Sequence, residues 1–135
     1  MPGEPGSLES PFPFRSIDRG EISGCLAAAV GGELAGEELR ARMETLVDRD
    51  LDTALTMVGE SLEHLAHGSP KWLCESARML VVIAERCDPE IGPHGRIIEL
   101  AGRAMQAARF HDKEAKELGI TAAATVLSRR RQLDS

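Results

Sequence analysis

Three groupings in this chain hold residue types that can bind metals, activate nucleophiles or grip anions. Glu60, His64 and His67 are spaced by four and three, which puts all three on one helical face, as helix-borne metal ligands require. At about 100° per residue that face lies opposite the row Leu51, Leu55, Val58, Leu62 and Leu65. It reads as a solvated polar face, with a surface metal site completed by another chain as the alternative. Glu63-His64 lacks the earlier histidine of a His-Glu-x-x-His protease motif.

Cys87, Asp88, Glu90 and His94 combine thiol, carboxylate and imidazole, all zinc-ligand types. No Cys-x-x-Cys pair accompanies them, and Asp88-Pro89 with Gly92-Pro93 explains the stretch equally well as a connection between helices. His94-Gly95-Arg96 at a helix start offers free N–H groups and a guanidinium to an anion, without the lysine and glycine spacing of a phosphate loop. Cys25 and Cys74 read as small buried hydrophobes. A Cys–His nucleophile pair would need long-range geometry. The expectation is no catalytic set, no metal and no cofactor.

A fourth segment resembles a helix-turn-helix DNA-binding motif. In Glu114-Ala115-Lys116-Glu117-Leu118-Gly119-Ile120-Thr121 a small residue, Ala115, stands four before a glycine, and Ile120 follows it. Thr125-Val126 and Arg129-Arg130-Arg131 come next. The resemblance implies that the part after Thr121 is a recognition helix in the major groove, with Thr121, Thr125, Arg129, Arg130 and Arg131 toward DNA. The apolar position six after the glycine is Thr125, with Val126 one residue late, a rotation of about 100° on a helix. The other reading is one helix, kinked at Gly119 or straight, with Ala115, Leu118, Ala122 and Val126 on a core.

The elements that would position these residues are helices. Apolar residues recur at helical spacing in Leu51–Leu65 and again in Ile97, Leu100, Ala101, Ala104, Met105 and Ala108. Six helices are expected, over about 17–30, 33–48, 51–67, 70–87, 93–110 and 112–131. Asp50 caps the third, and Ser69-Pro70 starts the fourth. The fourth has a wide apolar arc, since Met79 and Val82 fall outside its main stripe, as in a central helix contacted on two sides. The expected fold is all-α: a compact bundle of five or six helices in short antiparallel hairpins. Residues 1–15 read as a flexible Pro/Gly-rich tail and 16–135 as a single helical domain.

Composition narrows the function class. The chain has 135 residues and a net charge of −6, which argues against broad nonspecific binding to nucleic acid. Residues 1–67 hold 13 acidic and 5 basic side chains, and residues 68–135 hold 9 and 11; the asymmetry reads as ordinary surface variation, with an electrostatic docking feature as the alternative. Three scattered cysteines make no disulfide framework. No apolar run reaches the ~18 residues of a membrane span, so a cytoplasmic location without membrane contact is expected. The reading is a small non-catalytic interaction, adaptor or regulatory protein that binds another protein or itself. Phe12, Phe14, Met79 and Val82 are the candidate partner contacts, and DNA binding through 112–131 is the alternative.

Overall fold

A computed structural model describes residues 19–64, 70–108 and 113–134. Within them six α-helices and no strands form a compact bundle. The helices are α1 (Arg19–Val30), α2 (Gly36–Arg49), α3 (Leu51–His64), α4 (Pro70–Arg86), α5 (His94–Ala108) and α6 (Lys113–Asp134). Phe12 and Phe14, the segment 1–15, the start signal expected at Ser69, and His67 lie outside the described residues.

α4 is the centre of the bundle and touches all five other helices. This explains its broad apolar arc. Leu73, Ala77, Met79, Leu80, Val81, Val82, Ile83 and Ala84 are all buried. Met79 and Val82 are therefore core residues, at 0% and 1% exposure, and Met79 is not the partner contact that its off-stripe position suggested. An apolar residue outside the main stripe marks a second packed side as readily as an exposed surface.

α6 packs most extensively against α4 and α5. Near the start of α6, Glu114 meets Arg78 of α4 at 2.8 Å. Near its end, Arg129 meets the Cys87 carbonyl, one residue past α4, at 2.7 Å. α4 and α6 therefore run in the same direction, and α5 returns between them in chain order. The hairpin expectation holds for α5 with α6, while the parallel pairing of α4 with α6 is a contact between non-sequential helices.

Local signals explain the boundaries. α1 ends in a Schellman turn. Gly32 sits at φ +82°, its N–H donates to the Ala29 carbonyl at 3.2 Å, and the Glu33 N–H donates to the Ala28 carbonyl at 2.8 Å. That turn and a second left-handed residue, Gly36 at φ +59°, delay α2 to Gly36. Leu34, expected on the second helix, is left in the connection. Asp50 caps α3 as expected: Oδ1 accepts from the Thr53 N–H at 3.1 Å and Oδ2 from the Thr53 hydroxyl at 2.7 Å. Leu55, Val58 and Leu62 are buried below it.

Candidate functional site

The residues with reactive chemistry are committed to the scaffold. His94 is 6% exposed and its Nε2 lies 2.8 Å from the Asp88 carbonyl oxygen. A carbonyl only accepts, so the proton is on Nε2 and the ring donates. The Asp88 carboxylate turns the chain: its Oδ1 accepts from the Glu90 N–H at 2.7 Å and the Ile91 N–H at 3.0 Å. Those two backbone donors, Ile91 first, hold its pKa below the usual carboxylate range. The Cys87 thiol points back to the Ala84 carbonyl at 3.5 Å, and burial pushes its pKa up, with Arg129 partly opposing. Thiol, carboxylate and imidazole are thus each engaged with backbone and do not converge on a common point. Among the described residues no group of three or more His, Cys, Asp or Glu is placed to hold a metal.

The other groupings are likewise taken apart. In the anion candidate, His94 turns inward, while Arg96 lies over α3: a Cβ added to Gly59 would fall 2.8 Å from its Nη2. Arg96 also pairs with Glu99 at 3.7 Å. Glu60 is half-buried on α3, and the His64 and His67 side chains lie outside the described residues.

The segment resembling a helix-turn-helix is one continuous helix, α6. Gly119 lies inside it, pressed on α5. A Cβ there would sit 2.9 Å from Met105 Cγ and 3.0 Å from the Ala101 carbonyl oxygen. The glycine therefore permits close helix packing and makes no turn. Ala115, Ala122 and Val126 are at 0% exposure, whereas Ile120, the apolar residue that follows the glycine in the resemblance, is 48% exposed. Thr121 is exposed and Thr125 half-buried, and Arg130 and Arg131 are exposed. Arg129 is instead drawn down to cap the C-terminus of α4, a place where a cation meets the negative end of the helix dipole.

Among the described residues there is also a cleft that the apolar pattern of the sequence does not indicate. It has a volume of about 300 Å³ and opens between the α1–α2 connection, α2 and α4. Leu39, Met43 and Val82 form its apolar floor, Ala29, Leu34 and Ala35 its walls, and Arg40, Glu75 and Arg78 stand at its polar edge. Val82, expected from the sequence as a partner contact, lies in the floor of this cleft and not on exposed surface. Leu34 reaches the wall because the two left-handed glycines keep it off α2. That placement depends on backbone torsions, which apolar periodicity does not register.

The charged edge is ordered by ion pairs. Arg40 Nε meets Glu44 at 3.0 Å, and its Nη2 meets Glu85 of α4. Arg78 Nε meets Glu75 at 2.9 Å, and its Nη2 meets Glu114 of α6 at 2.8 Å. Burial opposes the Arg78 charge, but Glu114 and Glu75 outweigh it and raise its pKa. In these pairs both guanidiniums use Nε and Nη2. An arginine carries five N–H donors in a fixed fork, more than two carboxylates take up through Nε and Nη2. The arrangement can hold an apolar group on its floor and a carbonyl or carboxylate at its edge.

Among the described residues no helix is long and apolar enough to cross a membrane. Comparison of the chain with family models, curated proteins and solved structures finds no match.

Proposed function

We propose that this chain is a non-catalytic interaction protein whose cleft between α1, α2 and α4 receives a short segment of a protein partner. The observation that carries this reading is the cleft itself: an apolar floor of Leu39, Met43 and Val82 beside two arginines held in place by ion pairs. At about 300 Å³ it stands at the small end of ligand pockets, a size suited to one or two apolar side chains. The segment it fits carries an aliphatic or aromatic anchor next to a carboxylate or an open backbone carbonyl. The anchor supplies affinity through apolar burial, and the arginine fork supplies direction.

The engagement of His94, Asp88 and Cys87 with backbone supports a binding role over a catalytic one. All three cysteines are free, which fits a cytoplasmic setting.

The test is selection of random peptides displayed on phage by the full chain, repeated with Arg40→Glu and Leu34→Asp. The expected result is a consensus pairing an apolar anchor with an acidic residue, lost in both variants. Selection of no consensus, or of one that both variants bind equally, would overturn the reading.

A further inference from the structure

α1 is a helix without a charged outer face. From Ile22 to Gly32 the chain has no charged residue. Ile22, Cys25 and Leu26 are buried, while Gly20, Ser23, Gly24 and Ala27 are exposed. A surface helix ordinarily turns charged residues outward, and one that lacks them on every side is a helix to be covered. A side chain added at Gly24 would meet nothing within 4 Å, so this face is smooth and open.

The face leads to the cleft. Ala29, near the end of α1, and Gly32 help to line it. α1 and α2 run antiparallel: Glu21 at the start of α1 meets Arg49 at the end of α2 at 3.1 Å, and the cleft lies at the other end of that pair. Chain laid back along α1 from Arg19 therefore arrives at Gly32 and Leu34.

The segment just before α1 has the length and the chemistry for this path. Pro11-Phe12-Pro13-Phe14 holds two of the three phenylalanines. Proline-rich chain favours an extended form of about 3.1 Å per residue, whose backbone makes no internal hydrogen bonds. The seven residues from Phe12 to Arg19 span about 22 Å in that form, and α1, with twelve residues, is about 18 Å long. Phe12 thus reaches the cleft, while Phe14, about 6 Å behind it, lies over α1 near Ala27. One phenyl ring suits a cleft of about 300 Å³, and the open carbonyls beside it suit Arg40 and Arg78. Charge does not choose the occupant: the rim mixes Arg40 and Arg78 with Glu33, Glu37, Glu38 and Glu75, and the segment mixes Glu9 with Arg15. Attachment does. A short tether gives an effective concentration of about millimolar, which a free partner lacks.

We propose that the residues before α1 fold back along its outer face and seat Phe12 in the cleft, where they compete with a partner's segment, a regulation that presupposes the cleft's role as a peptide site. The test compares methyl spectra of the full chain, Phe12→Ala and Phe14→Ala, with circular dichroism as a fold control. Phe12→Ala should move the Leu34, Met43 and Val82 methyls and tighten binding of a selected peptide about threefold or more. Phe14→Ala should do the same more weakly. A synthetic peptide of residues 8–16 added to Phe12→Ala should return the methyls toward their wild-type positions. Ile98, Ile120 and Leu127, exposed on α5 and α6 and away from the cleft lining, should stay in place throughout. Cleft methyls and peptide affinity both unchanged in Phe12→Ala would overturn the proposal, and the cleft reading would stand if the selected peptide still moved those methyls. Wild-type cleft shifts that vanish on dilution would mean that another copy's segment enters, and would overturn the folding back.

Discussion

Arg129 Nη2 donates to the Cys87 carbonyl oxygen at 2.7 Å, tying the far half of α6 to the end of α4. The bond satisfies a carbonyl that α4 cannot pair internally and places a cation at the negative pole of the helix. A residue whose neighbours suggest phosphate contact is thereby part of the scaffold.

Replacing Arg129 by Met should therefore lower stability, by about 1–2 kcal/mol for a charge-assisted hydrogen bond to a part-buried carbonyl. Arg130→Met, at an exposed position near the C-terminal end of the same helix, should change it by less than about 0.5 kcal/mol. Urea unfolding of the two variants measures the contrast. Equal effects would remove the capping role.

Gly119 and Gly24 make a second contrast. Both are helical, and in both Ala would favour the helix by about 1 kcal/mol. A Cβ at Gly24 meets nothing within 4 Å, whereas one at Gly119 falls 3.0 Å from the Ala101 carbonyl, and overpacking costs about 1–3 kcal/mol. Gly24→Ala should raise the melting temperature and Gly119→Ala should lower it. A rise in both would mean that α5 and α6 are not held at close approach.

The cysteines should be inert in the folded protein. Cys25 and Cys87 are buried, and burial raises the pKa of each thiol, so the reactive thiolate is disfavoured at neutral pH. Cys74 is buried as well. Thiol titration with an aromatic disulfide reagent should be slow in buffer and reach all three cysteines in denaturant. Rapid labelling of Cys87 in the native state would contradict the packing around it.

Acid should destabilise the fold through two aspartates. Hydrogen bonds from the Ile91 and Glu90 amides lower the Asp88 pKa, and those from Arg86 lower that of Asp48. Since the folded values lie below the unfolded value of about 3.9, both groups favour folding above that pH, and the contribution fades as pH falls through the folded values. Unfolding free energy should be flat from neutral pH to about 5 and then decline. Asp88→Asn should shrink that decline, which a pH series of urea transitions would read out. An unchanged acid limb in Asp88→Asn would contradict the role given to the Asp88 turn.

Much of the bundle is legible in the residues themselves. Asp50 ahead of Leu51, Pro70 at a helix start and the stripe Ile97–Ala108 each act locally, and the helices follow from them with ends shifted by a few residues. The cleft is not legible in that way. It depends on Leu34 being held off α2 by the left-handed torsions of Gly32 and Gly36, and on Arg40 and Arg78 meeting glutamates from other helices. Gly119 shows the same limit: a turn and a close packing contact both call for glycine, and only the position of Ala101 on a neighbouring helix distinguishes them.

The central claim, that the cleft is where a partner segment docks, is tested most directly by methyl and amide chemical-shift mapping of the full chain with a selected peptide. The account predicts shifts centred on the cleft, at the Leu34, Met43 and Val82 methyls and the Gly32 and Gly36 amides, with Ile98, Ile120 and Leu127 undisturbed. Shifts centred on Ile98, Ile120 and Leu127, with the cleft methyls unmoved, would contradict it.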